Sequence, residues 1–264
     1  MPRVSVIIPC FNQGEYVRDA VESVAAQSYT SFEIVIVNDG STDPETIAVL
    51  DALSYPSMRL VHTANEGLAS ARNTGIREAI GEYILPLDAD DRIGYRYLEK
   101  GVAVLDSHSD VGFVYCLGEL FGSARGKFYL NNATLREMLL DSRIFCSALF
   151  RKSDWAATGG YNPNMTYGWE DWDFWLSLLE LGKKPYLIDE VMFYYRVKPK
   201  SMIRSMTFEQ KVAMHRQLYA NHRELFKVIQ DIDFDRHHRQ RNSIRGKLAE
   251  LVRKIAFNIR YCRK

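Results

Sequence analysis

Acidic residues follow directly after two segments of the chain that have the pattern of β-strands. Asp39 follows the second strand-like run, and Asp88, Asp90 and Asp91 follow the fourth. Because the carboxyl ends of parallel strands meet at one edge of a sheet, we expect these carboxylates to cluster. Clustered like charges are unfavourable without a cation, and hard carboxylate oxygens suit Mg²⁺ or Mn²⁺. Since protein-bound Mg²⁺ usually also contacts substrate phosphates, the pattern predicts a metal-bound nucleotide.

Each of these segments also has a purely structural interpretation. Residues 39–43, Asp-Gly-Ser-Thr-Asp, are typical of a turn with a helix cap, and residues 88–91 fit a loop with an N-cap. Arg72, on a predicted helix between the strands, supplies a cation for a phosphate or a base edge, with a surface salt bridge as the alternative. Their joint placement after strands favours the functional interpretation.

Strands alternate with helical patterns in the first hundred residues and must position these side chains. The strand-like runs of this part lie at 4–8, 32–37, 58–61 and 83–87. Such alternation predicts βαβ units, and hence an α/β fold with a mostly parallel central sheet flanked by helices. The second half is less regular. Its strand-like runs lie at 111–116, 126–129, 147–150, 185–187 and 191–197, and a helix is predicted at 169–181.

The composition excludes several classes of protein. The 264 residues are 47% hydrophobic and include 13 Phe, 15 Tyr and 4 Trp, which excludes intrinsic disorder. No apolar run approaches the ~18 residues of a membrane span, and the N-terminal run predicts a strand rather than a signal peptide. The four cysteines are scattered without a CxxC motif, so we expect a reduced, cytoplasmic location.

The net charge of +1 hides a strongly basic C-terminal segment. Residues 236–264 contain ten Lys and Arg and one acidic residue, Glu250. Apolar residues recur there at helical spacing, which predicts an amphipathic helical tail at 231–264 after a domain at 1–230. We expect residues 236–264 to contact an anionic membrane surface, so that the protein is peripheral at the inner face of the cell membrane. Packing on the main domain or on a second subunit is the alternative, and no motif indicates nucleic acid.

The motifs of other nucleotide-binding and hydrolase folds are missing from the sequence. No Gly-x-Gly-x-x-Gly occurs, which argues against a dinucleotide-binding oxidoreductase. Residues 122–127 are one residue short of a P-loop, and Phe128 stands where Ser or Thr would hold magnesium. No Gly-x-Ser-x-Gly elbow of an α/β-hydrolase is present.

Two long segments, SVIIPCFNQGEYVRDAVESVAAQSYTSFEIVIVNDGSTD and NEGLASARNTGIREAIGEYILPLDADD, resemble family 2 glycosyltransferases with a GT-A fold. The segments GGYNPNMTYGWEDWDFWLSLLELG and YYRVKPKSM are also similar, so the resemblance covers about residues 3–205. It implies the GT-A fold, here with a C-terminal helical extension. It also implies an inverting enzyme that moves a sugar from a nucleotide-sugar, usually UDP-linked, to an acceptor hydroxyl. We expect a glycan or lipid-linked acceptor in cell-surface glycan or polysaccharide synthesis.

The resemblance implies roles for the residues that bind the donor. Asp39 matches the position that contacts the nucleobase, and Arg72 matches a basic residue near the base and diphosphate. Asp88 and Asp90 match the Asp-x-Asp motif, which binds Mn²⁺ or Mg²⁺, with Asp90 directed toward the metal and Asp88 toward the ribose or sugar. Two further positions match residues that line the nucleotide pocket: Pro9 and Phe11.

The later segments supply the expected catalytic and acceptor residues. Asp171 matches the catalytic base of the family, although an acidic residue here is also typical of a helix cap. Glu170 is expected to bind acceptor hydroxyls or to be the base itself. Trp169 and Tyr167 lie in the preceding loop and are expected to stack on a sugar face of the acceptor.

Lys198 departs from the pattern of the family, which often has Tyr-Arg-x-His-x-x-Ser at this point. Lys198 stands at the histidine position. A charged lysine cannot ligate a metal but can neutralise phosphate, so we expect Lys198 to contact the diphosphate. A solvated basic loop is the alternative interpretation.

Two other functional classes remain open from the sequence. A non-catalytic module that holds a nucleotide-sugar or a glycan is the first, and the departure at Lys198 is its best support. A nucleotidyltransferase that makes a sugar nucleotide is the second, although the Gly-rich triphosphate loop that it needs is missing.

Overall fold

The computed structural model of the chain describes residues 1–128, 134–142, 144–199 and 201–230. The predicted tail at 231–264, with its basic segment 236–264, lies outside the described residues, so its helix and its membrane contact stay predictions. Within the described part, no helix combines the length and the apolar character that crossing a membrane requires.

The first half of the chain alternates strands and helices, as the sequence predicts. In chain order the elements are β1 (Val4–Cys10), α1 (Gly14–Ala25), β2 (Phe32–Asp39), α2 (Pro44–Ala52), β3 (Met58–Thr63), α3 (Leu68–Glu78) and β4 (Tyr83–Pro86). Strand β1 pairs in parallel with β2 and with β4, and β2 pairs in parallel with β3. The carboxyl ends of β1, β2 and β4 therefore lie at one edge of the sheet.

The second half completes the same sheet with strands of both directions. Its elements are β5 (Arg92–Ile93), α4 (Tyr97–Ser107), β6 (Val111–Gly122), β7 (Gly126–Phe128), α5 (Leu135–Leu140), β8 (Leu149–Arg151), α6 (Lys152–Thr158), α7 (Glu170–Glu180), β9 (Lys184–Val197), α8 (Met202–Ser205), α9 (Phe208–Asn221) and α10 (Arg223–Gln230). Strand β8 lies antiparallel between β4 and β6, while β9 is parallel to β6 and antiparallel to β5. The sheet is therefore mixed, and its parallel pairs are β1–β2, β1–β4, β2–β3 and β6–β9.

Two strands that the sequence predicts as separate, 185–187 and 191–197, form the single strand β9. Its pairing with β6 shifts in register between Cys116 and Gly118, opposite the gap between the two predicted runs. A bulge of this kind inserts residues without ending the strand, and for that reason the apolar pattern looked interrupted. The long strand carries Lys198, the next residue after its end, to the same edge as the acidic residues.

The sheet separates two apolar cores. On one face, residues of β1 and β2 such as Val6 and Ile36 pack with α1, α2 and α4. On the other face, Ile7 and Val35 pack with α3, α5, α7 and α9. Successive residues of a strand point to opposite faces, so a strand that is buried on both sides has a continuous apolar run, as β1 and β2 do. This double burial makes a rigid platform for the loops at the sheet edge.

Candidate active site

A cavity of about 590 Å³ opens where the strands β1, β2 and β4 end. Its volume is in the range of pockets that bind small organic ligands. It is lined by segments that are distant in sequence, including residues 65–69, 88–90 and 201–203 together with Pro163, Met165, Thr166 and Gly168. The predicted site residues in this lining are Pro9, Phe11, Asp39, Asp88, Asp90, Glu170 and Lys198. The structure therefore brings together most of the residues that the sequence singled out.

Asp39 is fixed at one end of the cavity by backbone groups. Its Oδ1 accepts a hydrogen bond from the N–H of Glu66 at 3.0 Å, and its Oδ2 accepts one from the N–H of Gly67 at 3.0 Å. The hydroxyl of Thr63 also donates to Oδ1 at 3.2 Å. The carboxylate is thus held by neutral donors at the start of α3, and no lysine or arginine is paired with it in the described part of the chain.

Two residues with positive φ shape the loops beside Asp39. Gly40 has φ 68°, and a Cβ added there would lie 2.6 Å from the backbone nitrogen of Asn65, so the position requires glycine. Asn12, with φ 52°, accepts hydrogen bonds on Oδ1 from the N–H groups of Thr42 and Asp43 at 2.8 and 2.9 Å. The loops after β1 and β2 are therefore bonded to each other. Asp43 is the N-cap of α2 and accepts the N–H of Thr46 at 2.9 Å, so the helix-cap interpretation of 39–43 is correct alongside any binding role.

Arg72 is buried beneath the cavity between two carboxylates. It is 1% exposed, its Nη2 donates to Oδ1 of Asp88 at 2.6 Å, and its Nη1 donates to Oε1 of Glu170. Its guanidinium also lies 5.5 Å from the ring centroid of Tyr161. Arg72 is outside the cavity lining. It forms a buried ion-pair bridge that positions Asp88 and Glu170, rather than a surface salt bridge, and its predicted contact with a donor stays a prediction.

Asp88, Asp90 and Asp91 form a compact carboxylate cluster. One oxygen of each lies within 4.8 Å of the others. Asp91 is buried and its Oδ1 accepts the N–H of Arg196 at 2.8 Å. Burial, together with the charges of Asp90 and Asp88, raises the pKa of Asp91 well above its ordinary value. Asp91 is therefore a support within the loop, while Asp88 and Asp90 reach the cavity.

The chemistry of this cluster fits a divalent cation. Burial and the charge of Asp88 raise the pKa of Asp90, while Lys198 opposes that shift. A dication at the cluster would relieve this repulsion, and hard carboxylate oxygens are suitable ligands for Mn²⁺ or Mg²⁺. Asp88 and Asp90 would supply those ligands, as the sequence predicts, and metal binding itself stays a prediction.

Lys198 is held against Asp90 rather than solvated. Its Nζ lies 2.6 Å from Oδ2 of Asp90, and the two side chains are 16% and 15% exposed. It also donates to Oε1 of Gln13 at 3.3 Å and lies 5.0 Å from the ring centroid of Tyr16. The alternative of a solvated basic loop is therefore wrong for Lys198, and its contact with a diphosphate stays a prediction.

The first turn of α7 carries the predicted catalytic pair, of which Glu170 lines the cavity and Asp171 lies outside the lining. Glu170 is buried in the cavity lining, and Asp171 is half-buried with its Oδ1 accepting the N–H of Trp172 at 2.7 Å. Burial raises the pKa of Asp171 to about 7; the charge of Glu170 adds to this shift and Arg72 opposes it. A carboxyl with this pKa is suited to accept a proton near neutral pH.

Trp169 and Tyr167 occupy the approach to α7 in different ways. Trp169 has a left-handed backbone, φ 65° and ψ 19°, which is unusual for a bulky residue and occurs at functional sites. Its ring packs against Trp172 and His215, with centroids 5.5 and 4.7 Å away. Tyr167 is 43% exposed. Both residues lie outside the cavity lining, and acceptor stacking by either side chain stays a prediction.

Arg196 is a site residue that the sequence analysis did not single out. Its Nε donates to the backbone oxygen of Asp90 at 2.8 Å, and its Nη2 donates to Oδ2 of Asp19 at 2.5 Å. Its guanidinium also lies 4.3 Å from the ring centroid of Phe121. Arg196 therefore anchors the acidic loop from the end of β9. Arg196 lies in the segment YYRVKPKSM, whose resemblance to the family could have indicated a site residue. The spacing of the segment does not show which residues Arg196 contacts.

The family of the chain follows from comparison with known proteins. The family described as glycosyl transferase family 2 matches residues 5–165, a range that includes Asp39, Arg72, Asp88 and Asp90. This match covers more than half of the chain. The chain therefore belongs to glycosyl transferase family 2, as the sequence resemblance predicts.

Curated relatives support this assignment. YibD, an uncharacterized glycosyltransferase of Escherichia coli (strain K12), is 41% identical over 115 residues, which cover 43% of this chain and 33% of YibD. RT0329, an uncharacterized glycosyltransferase of Rickettsia typhi, is 33% identical over 211 residues, which cover 74% of this chain and 64% of RT0329. EpsE of Bacillus subtilis (strain 168), also named as a glycosyltransferase, is 31% identical over 204 residues, with coverages of 74% and 73%. The chain thus spans less than two-thirds of the length of YibD and RT0329.

Solved structures share the fold. The S. aureus protein TarS 1-349 in complex with UDP-GlcNAc has a TM-score of 0.67 at 20% identity, covering 84% of this chain and 66% of TarS. The same protein in complex with UDP has a TM-score of 0.64 at 18% identity, with coverages of 92% and 75%. The predicted GT-A-like α/β fold is therefore confirmed, as a mixed sheet flanked by helices.

Proposed function

We propose that the chain is a metal-dependent glycosyltransferase that moves a sugar from a nucleotide-sugar, with UDP as the nucleotide, to an acceptor hydroxyl. The observation that carries this proposal is the cavity, which gathers Asp39, Asp88, Asp90 and Glu170 from separate loops. Family membership supports sugar transfer, and the UDP and UDP-GlcNAc complexes of the similar TarS structures support a UDP-linked donor.

The two acidic regions bind different parts of the nucleotide-sugar donor. Asp39, held by neutral donors, keeps an acceptor that suits the N–H of a uracil base. Asp88 and Asp90 would hold Mn²⁺ or Mg²⁺, and a bound metal stabilises the negative charge that develops on the departing diphosphate. Lys198 lies beside Asp90 and supplies a further positive charge for the phosphates.

The catalytic pair performs the proton transfer. The oxygen of the acceptor hydroxyl attacks the anomeric carbon, the bond from that carbon to the diphosphate oxygen breaks, and Asp171 takes the hydroxyl proton. Attack opposite the leaving group inverts the configuration at that carbon. Glu170 is fixed by Arg72, and its charge helps to raise the pKa of Asp171 to about 7. Asp171 is thus the base, and Glu170 positions and tunes it.

The acceptor and the cellular setting belong to the same proposal. We propose a glycan or lipid-linked acceptor, in synthesis of a cell-surface glycan or polysaccharide on the cytoplasmic side. The basic character of residues 236–264 supports contact with an anionic membrane surface. Deletion of 236–264 should abolish co-sedimentation with anionic liposomes, and binding that persists after the deletion would contradict the membrane contact.

Calorimetric titration with UDP tests the donor site without knowledge of the acceptor. We expect the protein to bind UDP more tightly with Mn²⁺ than without it, and we expect Asp90→Ala to lose this advantage. An absence of UDP binding under both conditions would overturn the proposal for UDP. Parallel titrations with GDP and dTDP then show whether the site takes another base.

A second test separates an enzyme from a module that only binds. Wild-type protein and Asp171→Asn are incubated with a panel of UDP-sugars and Mn²⁺, with and without candidate acceptors, and released UDP is measured. We expect release to fall about 10²–10⁴-fold in Asp171→Asn while UDP affinity is retained, because a general base contributes that much. UDP binding without release by the wild type would favour the non-catalytic module.

A further inference from the structure

Lys198 forms an ion pair with Asp90, which is an expected ligand of the metal. Its Nζ lies 2.6 Å from Oδ2 of Asp90, and both side chains are largely withdrawn from solvent. Gln13 accepts a hydrogen bond from the same ammonium, and the ring of Tyr16 lies beneath it. Three separate groups therefore hold this cation in place, which distinguishes it from a lysine that contacts a carboxylate by chance on an open surface.

The two cations of the carboxylate cluster differ in their freedom to move. Arg72 is buried and bonded to both Asp88 and Glu170, so that its departure would leave the buried Glu170 without its cation. Lys198 lies on the cavity lining, directly after the end of β9, on a flexible four-carbon stem. Lys198 is therefore the cation that can exchange its partner.

A divalent cation at Asp90 would compete with the ammonium of Lys198. Both would be partners of the same carboxylate, and like charges a few ångströms apart repel strongly where burial limits screening by water. A diphosphate changes this balance, because it brings negative oxygens that accept hydrogen bonds from an ammonium. The ammonium then has a new partner within reach of the same cavity.

We propose that Lys198 is a resident counter-cation of Asp90, which it leaves for the diphosphate when metal and donor bind together. The inference rests on the proposed function and extends it to the order of binding. The metal alone binds weakly because it must displace Lys198. UDP strengthens metal binding, and the metal strengthens UDP binding by the same factor.

Titration of the UDP-free protein with Mn²⁺ tests the competition directly. We compare wild type with Lys198→Met, which removes the ammonium, and with Lys198→Arg, which keeps a positive charge. Lys211→Met is the matched control, because Lys211 is an exposed lysine outside the cavity lining. We expect Lys198→Met to bind Mn²⁺ about tenfold more tightly than wild type, and Lys198→Arg and Lys211→Met to remain close to wild type.

Two results would overturn the proposal: equal Mn²⁺ affinity in wild type and Lys198→Met, or no Mn²⁺ binding by Lys198→Met. Thermal unfolding midpoints of all variants, matched to wild type within a few degrees, verify that the fold is intact. A second titration series at saturating UDP measures the coupling, and we expect UDP to strengthen Mn²⁺ binding less in Lys198→Met than in wild type. Failure of wild-type protein to bind UDP would overturn the proposed function, while the UDP-free series still decides the role of Lys198.

Discussion

Two groups of carboxylates line the same cavity and are held by different kinds of partner. Asp39 accepts hydrogen bonds from two backbone N–H groups at the start of α3. Asp88 and Asp90 are instead paired with the cationic side chains of Arg72 and Lys198. Both groups follow strands of the parallel half of the sheet, so the difference lies in their partners and not in their place in the fold.

The kind of partner determines what each carboxylate group can bind. Backbone N–H groups fix a carboxylate in place and leave its full negative charge, which suits recognition of a neutral donor such as a base N–H. A cationic side chain cancels the charge, and one on the cavity lining, as Lys198 is, can exchange partners when a substrate brings charges of its own. Under the proposed function, we expect the region around Asp39 to recognise the base and the region around Asp88 and Asp90 to exchange charge.

Removal of the buried cation should produce the largest effect. We expect Arg72→Met to lower the free energy of unfolding by about 3–5 kcal/mol, because it leaves the buried Glu170 and the partly buried Asp88 without their shared cation. Urea unfolding followed by circular dichroism measures this loss. Arg204→Met is the control, since Arg204 is exposed and should change stability by less than about 0.5 kcal/mol. A loss below about 1 kcal/mol in Arg72→Met would contradict the buried bridge.

A substitution at Gly40 should damage the Asp39 region alone. We expect Gly40→Ala to lower stability by about 2 kcal/mol and to weaken UDP binding, because the added Cβ meets the backbone of Asn65 in a left-handed turn. Gly159→Ala is the matched control: Gly159 has φ 82° but nothing within 4 Å of an added Cβ. Equal losses in the two variants, measured by urea unfolding, would show that the close contact at Gly40 is unimportant.

The sequence predicted the surroundings of Asp39 better than the partners of Asp88 and Asp90. Regular β-branched runs fix the strands of the first half, and the strand-end rule then places Asp39 and Asp90 at one edge. The pairing of Arg72 with Glu170 could not be predicted, because Glu170 lies 98 residues away and meets Arg72 only through the packing of α7. The pairing of Lys198 depends on a long, bulged β9 that the periodicity divided into two strands.

The effect of the Glu170 charge on the pKa of Asp171 should appear in the pH dependence of sugar transfer. The active form of a base is deprotonated, so kcat/KM should be lost as the pH falls through about 7, the pKa of Asp171. In Glu170→Gln a neighbouring negative charge is removed, which lowers the pKa of Asp171. We expect the acidic limb of the profile to move down by about one pH unit, which corresponds to about 1.4 kcal/mol.

The profile is measured as UDP release from a UDP-sugar between pH 5 and pH 9. Glu180→Gln serves as the control. Glu180 lies at the opposite end of the same helix, outside both the carboxylate cluster and the cavity lining, and its substitution should leave the limb in place. An unchanged or upward-shifted limb in Glu170→Gln would contradict the role of Glu170 in tuning Asp171.

The central claim is that two differently held carboxylates bind two ends of one donor, and paired calorimetry tests it most directly. UDP is titrated into Asp39→Asn and Asp90→Asn, each with and without Mn²⁺. We expect Asp39→Asn to bind UDP more weakly by a similar factor in both conditions, and Asp90→Asn to lose the advantage that Mn²⁺ gives to wild type. Loss of the Mn²⁺ advantage in Asp39→Asn, or its retention in Asp90→Asn, would contradict the division of the site.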